Sequence, residues 1–135
     1  MPLLYLDIET DNTNGSGLDV FNSKIVTIQI LLPSGKTIIL KDPKSLDNVK
    51  SVLEDSLVIG HGLKFDSKFL KYHFGVTLCN VYDTYLAEII LSGGLYAGKH
   101  GVTRLSDLVL RYCGEKMKAL RCFVWISSQK PMRVN

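Results

Sequence analysis

The stretch that most constrains this chain is Leu3-Leu4-Tyr5-Leu6-Asp7-Ile8-Glu9-Thr10. It reads as a buried strand with two acids near its end. Alternate residues of a strand project to opposite sides, so Leu4 and Leu6 share one face while Asp7 and Glu9 converge on the other. Carboxylates at a strand core carry two costs, since an unpaired buried charge is unfavourable and two adjacent acids repel. A divalent cation relieves both. The plainer reading is a frayed strand end with two solvated acids, and the rest of the chain has to decide between them.

Beyond this strand, Asp11 to Gly17 is a polar, turn-forming cluster. Lys24–Leu32 and Lys36–Leu40 are β-branched runs joined by Pro33-Ser34-Gly35, which predicts an antiparallel hairpin over 24–41. Asp42-Pro43 breaks the sheet. Ser45–Glu54 carries Leu46, Val49 and Leu53 at helical spacing, with Ser45 as a cap. Leu57–Gly60 reads as a short buried strand, Leu63–Phe74 as a helix stopped by Gly75, and Val81-Tyr82 as another short strand. Asp83 is expected to cap a helix through Leu91 that buries Leu86, Ile89 and Ile90. Gly93–Gly101 is a glycine-rich loop, and Leu105–Tyr112 a helix ended by Gly114. Three early strands followed by alternating helix and strand indicate an α/β domain with a mixed sheet, antiparallel first and parallel later.

A third carboxylate emerges from the helix over 63–74. At about 100° per residue, Phe65, Phe69 and Tyr72 form one apolar arc and Leu63, Leu70 and Phe74 a second. Lys64, Ser67, Lys68 and Lys71 form the polar face and read as solvated. Asp66 falls between the apolar arcs, turned toward the core or a cleft, with His73 at the same angular position further along. An acid there needs a partner. A buried salt bridge or a role at the helix N-terminus would serve; so would a cation. Asp7, Glu9 and Asp66 together offer oxygen-only ligation, which suits Mg²⁺ or Mn²⁺ far better than zinc.

The bulk properties narrow the setting. The 135 residues suit about one domain, and a net charge of +3 allows a polyanionic partner without demanding one. Cys79, Cys113 and Cys122 form no Cys-x-x-Cys pair, against a disulfide framework or a zinc site. Reduced thiols in a cytoplasmic protein are the expectation. No basic region followed by a long apolar run opens the chain, and no stretch is long enough to span a membrane. No Gly-x-Ser-x-Gly or recognisable Cys–His motif offers a protein nucleophile.

Three segments in this order carry a resemblance: Leu4-Tyr-Leu-Asp-Ile-Glu-Thr10, Ile59-Gly-His-Gly-Leu-Lys-Phe-Asp66 and Tyr82-Asp-Thr-Tyr-Leu-Ala-Glu-Ile-Ile-Leu91. Together they are similar to the 3′→5′ exonuclease domains with four acidic residues. The nearest likeness is the proofreading domain of family A DNA polymerases, with ribonuclease D close behind. The likeness runs from about residue 3 to about residue 118. It implies a ribonuclease-H-like fold, a central mixed sheet flanked by helices. It also implies two metal ions, Mg²⁺ or Mn²⁺, and hydrolysis at the 3′ end of single-stranded DNA or RNA, with a DNA polymerase as a candidate partner. By this resemblance Asp7, Glu9 and Asp66 are metal-holding catalytic residues, and Thr10, His61 and Phe65 are candidate substrate contacts. Asp83-Thr84 resembles a family feature that ligates no metal, in keeping with a cap. For His61 and His73 a satisfied core or loop role stands beside substrate contact or water orientation.

The chain departs from the family pattern twice. Gly62 stands where the family carries Asn, four residues before the second-motif Asp. No Tyr or His is followed four residues later by Asp, so the final motif and its fourth ligand are missing. After Glu88 the acids are Asp107 and Glu115, and Asp107 reads as a solvated partner of a helix dipole. An exonuclease-like domain over 1–118 is therefore expected, followed by an atypical or truncated tail over 119–135. In that tail Phe123, Val124, Trp125 and Ile126 either pack on the sheet or, with Lys118, Arg121, Lys130 and Arg133, contact nucleic acid. The leading expectation is a metal-dependent, proofreading-type 3′→5′ exonuclease. One alternative is a catalytically impaired remnant that binds nucleic acid or a polymerase; another is ribonuclease D-like RNA processing.

Overall fold

Alternating apolar residues in the first strand and a β-branched, mostly apolar second strand build the centre of the sheet. The computed structural model describes residues 1–11, 17–99 and 101–117. Strand β1 (Leu3–Thr10) buries Leu4, Leu6 and Ile8 on one side, as their spacing predicts. Strand β2 (Ile25–Leu31) lies between β1 and β3 (Thr37–Lys41) and is buried on both faces from Ile28 to Leu31. Both pairings are antiparallel, so the expected hairpin forms. β4 (Leu57–Gly60) then pairs parallel with β1, and β5 (Asn80–Asp83) parallel with β4. The order β3-β2-β1-β4-β5 is the mixed sheet anticipated, antiparallel on one side of β1 and parallel on the other.

Helices complete the core. α1 (Asp47–Asp55) contributes Leu53, with Leu46 just before it, and α2 (Leu63–Phe74) contributes Leu63, Phe69 and Leu70. These meet Leu4, Leu6, Ile8, Ile28, Ile30 and Val58 in one cluster. Ser45, expected as the cap, falls one residue too early: Leu46 is the N-cap and makes no side-chain cap bond, while Ser45 Oγ accepts from the Asp47 amide at 3.2 Å in a local turn before the helix. Gly75 ends α2 in the left-handed region at φ 65°, where an L side chain is strained. α3 (Thr84–Leu91) follows β5 directly, and α4 (Leu105–Cys113) packs on α3.

One part of the sequence reading fails. The helix α3 does not bury Leu86, Ile89 and Ile90. Leu86 and Ile90 are exposed, Ile89 is half-buried, and the residue turned fully inward is Glu88. The reason is chemical. α4 presents Arg111 and Tyr112 to α3, and both bond to the Glu88 carboxylate, so the polar residue gains most from facing its neighbour. Tyr72, placed on an apolar arc of α2, is also largely exposed, its ring 5.1 Å from Phe21 in an edge contact.

Candidate functional site

β4 leaves the sheet early, and the site forms in the space beside β1. The β1–β4 pairing runs only from Leu3↔Leu57 to Tyr5↔Ile59. Past it, the Ile8 amide donates to Asp66 Oδ1 at 3.0 Å. A backbone N–H beyond the end of the β4 pairing is thereby satisfied by a side chain from α2. That bond holds Asp66 beside Asp7, the neighbour of Ile8. The register of β1 against β2 shifts between Glu9 and Thr10. Irregularities of this kind re-aim side chains at strand ends.

The turn from β4 into α2 is held tightly from β5. Asp83 accepts from the Gly62 and Leu63 amides at 2.8 Å each, and from the Tyr85 amide at 2.9 Å. One carboxylate thus caps two helices, α2 and α3. Its cap on α3 was expected; its second role spans 21 positions of sequence and has no local signature. Thr84 Oγ1 donates to the Gly60 carbonyl at 3.1 Å and lies 2.9 Å from His61 Nδ1. With its one proton committed to Gly60, Thr84 accepts from His61, which places a proton on Nδ1. Gly60 itself must be glycine, because a Cβ there would stand 2.4 Å from Leu63 Cδ2 and 2.9 Å from the Leu6 carbonyl. Gly62, at φ 74°, occupies the left-handed region that glycine and asparagine enter most readily.

The electrostatics at the site are all of one sign. Asp66 is 4% exposed, and its carboxyl is pushed up to about 7. Burial is the main cause, the charges of Asp7 and then Asp83 add to it, and the Ile8 amide opposes it. Asp7 is half-buried and is pushed up to about 6 by burial and then by the charge of Glu9. Among the described residues the ion pairs are Arg104–Asp107 and Arg111–Glu88, and neither involves these acids. So Asp66 is not in a salt bridge, and Asp83 rather than Asp66 caps α2. Glu9 stands exposed at the rim. Among the described residues no three His, Cys, Asp or Glu side chains are already gathered as a metal site. What is present is a crowded, uncompensated, all-oxygen pair with a third acid next to it, a donor set that fits a hard divalent cation.

The other candidate residues are held nearby. Thr10 Oγ1 donates to the Gly17 carbonyl at 2.6 Å. The Phe65 ring packs on Phe69 with centroids 4.7 Å apart. His61 is half-buried, and burial holds its imidazole below the usual range, against Thr103 and the charge of Asp83. His73 lies far along α2, stacked on Phe69 at 5.7 Å. The tail over 119–135 lies outside the described residues.

A 3′-5′ exonuclease family matches this sequence over residues 1–132. The chain belongs to that family. As a member it shares 28% identity over 105 residues with DNA polymerase I of Aquifex aeolicus, covering 77% of this chain and 16% of the polymerase. Among solved structures, Brucella melitensis NrnC bound to pGG matches with a TM-score of 0.71 at 21% identity, over 89% of this chain and 56% of that one. Escherichia coli RNase D matches with a TM-score of 0.65 at 16% identity, over 87% of this chain and 29% of that one. At those identities the structural likeness establishes the ribonuclease-H-like fold. This exonuclease-family chain thus spans about a sixth of the curated relative and about half of NrnC. The family is divalent-metal-dependent, in keeping with the donor set at the end of β1. Among the described residues no helix is long and apolar enough to cross a membrane.

Proposed function

We propose that this chain removes nucleotides from the 3′ end of single-stranded DNA or RNA, with Asp7, Asp66 and Glu9 holding Mg²⁺ or Mn²⁺. The observation that carries the reading is the proximity of the half-buried Asp7 carboxylate to the buried Asp66 carboxylate, with no basic partner among the described residues. When bound, a pair of divalent ions activates water and stabilises the leaving oxygen of a phosphodiester. The chain's own residues do the positioning. Asp66 is fixed by the Ile8 amide, α2 by Asp83, and the preceding turn by Thr84. His61 donates inward to Thr84, which leaves it better suited to shaping the turn than to moving a proton. Thr10 and Phe65 flank the acids in sequence and are the proposed contacts to the terminal nucleotide. NrnC structures bound to pGG and with bound Mg²⁺ support nucleic acid and magnesium as the ligand classes. A cytoplasmic setting and a polymerase partner belong to the same proposal, the latter supported by the polymerase relative.

The absence of a Tyr/His-x-x-x-Asp sequence favours one other reading, a domain that binds nucleic acid without cutting it. End-labelled single-stranded DNA and RNA incubated with Mg²⁺ or Mn²⁺ separate the two. A ladder shortening from the 3′ end, lost with EDTA and in Asp7→Ala, establishes the nuclease. Retarded, uncut substrate establishes the binding module. Preference for RNA over DNA in the same assay would support the ribonuclease D-like role. Calorimetric titration with Mn²⁺ counts the ions.

A further inference from the structure

The turn that leads into β2 holds an aromatic ring out in solvent, and holds it firmly. Val20 is buried in the core, while its neighbour Phe21 is 70% exposed. The Asp19 carboxylate accepts from the Phe21 amide at 2.9 Å and from Asn22 Nδ2 at 2.6 Å. The Asp19 carbonyl accepts from the Ser23 amide at 2.9 Å. Further bonds tie this turn to the end of β1. Thr10 donates to the Gly17 carbonyl, the Asp11 amide donates to the Lys24 carbonyl at 3.0 Å, and the Lys24 amide donates to Asp11 Oδ1 at 2.8 Å. A ring already fixed in place loses little freedom when something packs on it.

That ring meets α2. Phe21 stands edge-on to Tyr72, itself 55% exposed, with centroids 5.1 Å apart. Ring contacts then run back along the helix without a gap: Tyr72 to His73 at 5.0 Å, His73 to Phe69 at 5.7 Å, and Phe69 to Phe65 at 4.7 Å. Phe65 adjoins Asp66. At about 100° per residue, Phe65, Lys68 and Tyr72 fall within about 60° of arc. Seven residues of helix put Tyr72 about 10 Å along the axis from Phe65. Lys64 and Lys68 are exposed, and neither forms an ion pair among the described residues. Lys68 also lies close to the turn: Asn22 and the Phe21 amide hold the Asp19 carboxyl below its usual range, and the Lys68 charge adds to this. One face of α2 thus leads from the acids, past a lysine, to a fixed and exposed aromatic pair.

Single-stranded nucleic acid fits such a surface, since its bases stack on flat rings and its phosphates seek cations. We propose that Phe21 and Tyr72 are a stacking platform for bases on the 5′ side of the strand's terminal nucleotide, with Lys68 serving the backbone between. The proposal rests on the nuclease reading only for which end of the strand lies at the acids.

Fluorescence anisotropy tests it, with labelled single strands of DNA and RNA about ten nucleotides long and Ca²⁺ as the ion. The intact chain should bind them. Phe21→Leu and Tyr72→Leu keep bulk but lose the ring, and each should weaken binding by about tenfold. Tyr72→Phe should bind as the parent does, and so should Val52→Ala, at an exposed position of α1. A dinucleotide, too short to reach from the acids to Tyr72, should compete equally well for the parent and both leucine variants. Both rings are exposed, so melting temperatures should change little; should Tyr72→Leu unfold, Phe21→Leu carries the test. Loss of strand binding in the leucine variants of a parent that does not cut with Mg²⁺ or Mn²⁺ supports the platform and removes the nuclease reading. Unchanged binding in the folded leucine variants overturns the platform, whether or not the parent cuts. A parent that binds no strand overturns it too. So does a sedimenting dimer that Phe21→Leu dissolves with strand binding intact, which assigns the rings to a second copy.

Discussion

Two buried acids, Asp66 and Glu88, lie on neighbouring parts of one small domain and are treated in opposite ways. Glu88 is 2% exposed and fully engaged, with Arg111 on one carboxylate oxygen and Tyr112 Oη donating to the other at 2.7 Å. Arg111 is itself anchored, donating to the Val102 carbonyl at 2.9 Å and lying over the Tyr96 ring. Asp66 is 4% exposed, and it has only backbone amides, those of Ile8 and Asp66 itself, against the repulsion of Asp7 and Asp83. A buried charge with its counter-charge in place joins two helices. A buried charge without one holds a place for a ligand that brings positive charge. The difference teaches that burial of an acid is not by itself a functional signal; what surrounds it is.

The largest effect that would sharpen this contrast is on activity. Asp66→Ala and Asp7→Ala should each lower 3′-end cleavage by about 10³-fold or more, equivalent to about 4 kcal/mol of barrier. Glu88→Gln, which keeps its shape and bonding capacity, should leave cleavage within a small factor. Equal losses in both would erase the distinction. Next, Arg111→Ala should cost about 3 kcal/mol of stability in urea unfolding, because it strands the Glu88 charge. A neutral outcome there would mean that Glu88 is not held as the geometry indicates. Gly60→Ala comes third. Its Cβ would collide with Leu63 and the Leu6 carbonyl, at a cost of about 1–3 kcal/mol. Because that shift moves the start of α2, the variant should also lose part of the thermal stabilisation that Mn²⁺ confers on the parent.

The smallest effect has the opposite sign. Asp66→Asn retains an acceptor for the Ile8 amide but removes the repelled charge, so it should stabilise the metal-free protein by about 1–2 kcal/mol at pH 8. The pH dependence follows from the direction of the shifts. The folded state binds protons on Asp7 and Asp66 more tightly than the unfolded chain, whose carboxyls titrate near 3.8. The contribution of these two carboxyls to stability is therefore greatest on the acid side and falls as pH rises through about 4 to 7. Melting curves in EDTA should show that fall. Asp66→Asn should flatten it, and Mg²⁺ should raise the melting temperature more at pH 8 than at pH 5. A flat profile in the parent would mean that the acids are already compensated.

Much of the body was legible before any coordinates. The alternation in Leu3–Thr10, the β-branched hairpin and the helical spacing from Leu63 to Phe74 all turn up as read, because each is a local pattern with one dominant period. Asp66 could be placed on an inward face for the same reason. The miss at α3 has a distinct cause. Leu86, Ile89 and Ile90 look like a core stripe only until Arg111 and Tyr112 arrive from 23 and 24 positions further on. Apolar count could not forecast that a glutamate would take the inward place.

On its own, the sequence determined which residues alternate, where helices start and stop, and that acids sit at the end of the first strand. These depend on backbone sterics and on periods of two and 3.6, which act over a few residues. Only the tertiary structure decided that β4 stops short and leaves the Ile8 amide for Asp66, and that Asp83 caps two helices at once. It alone decided that Glu88 is neutralised while Asp7 and Asp66 are not. Coulomb energies and desolvation depend on through-space distance, and distance between residues far apart in the chain exists only once the chain has folded.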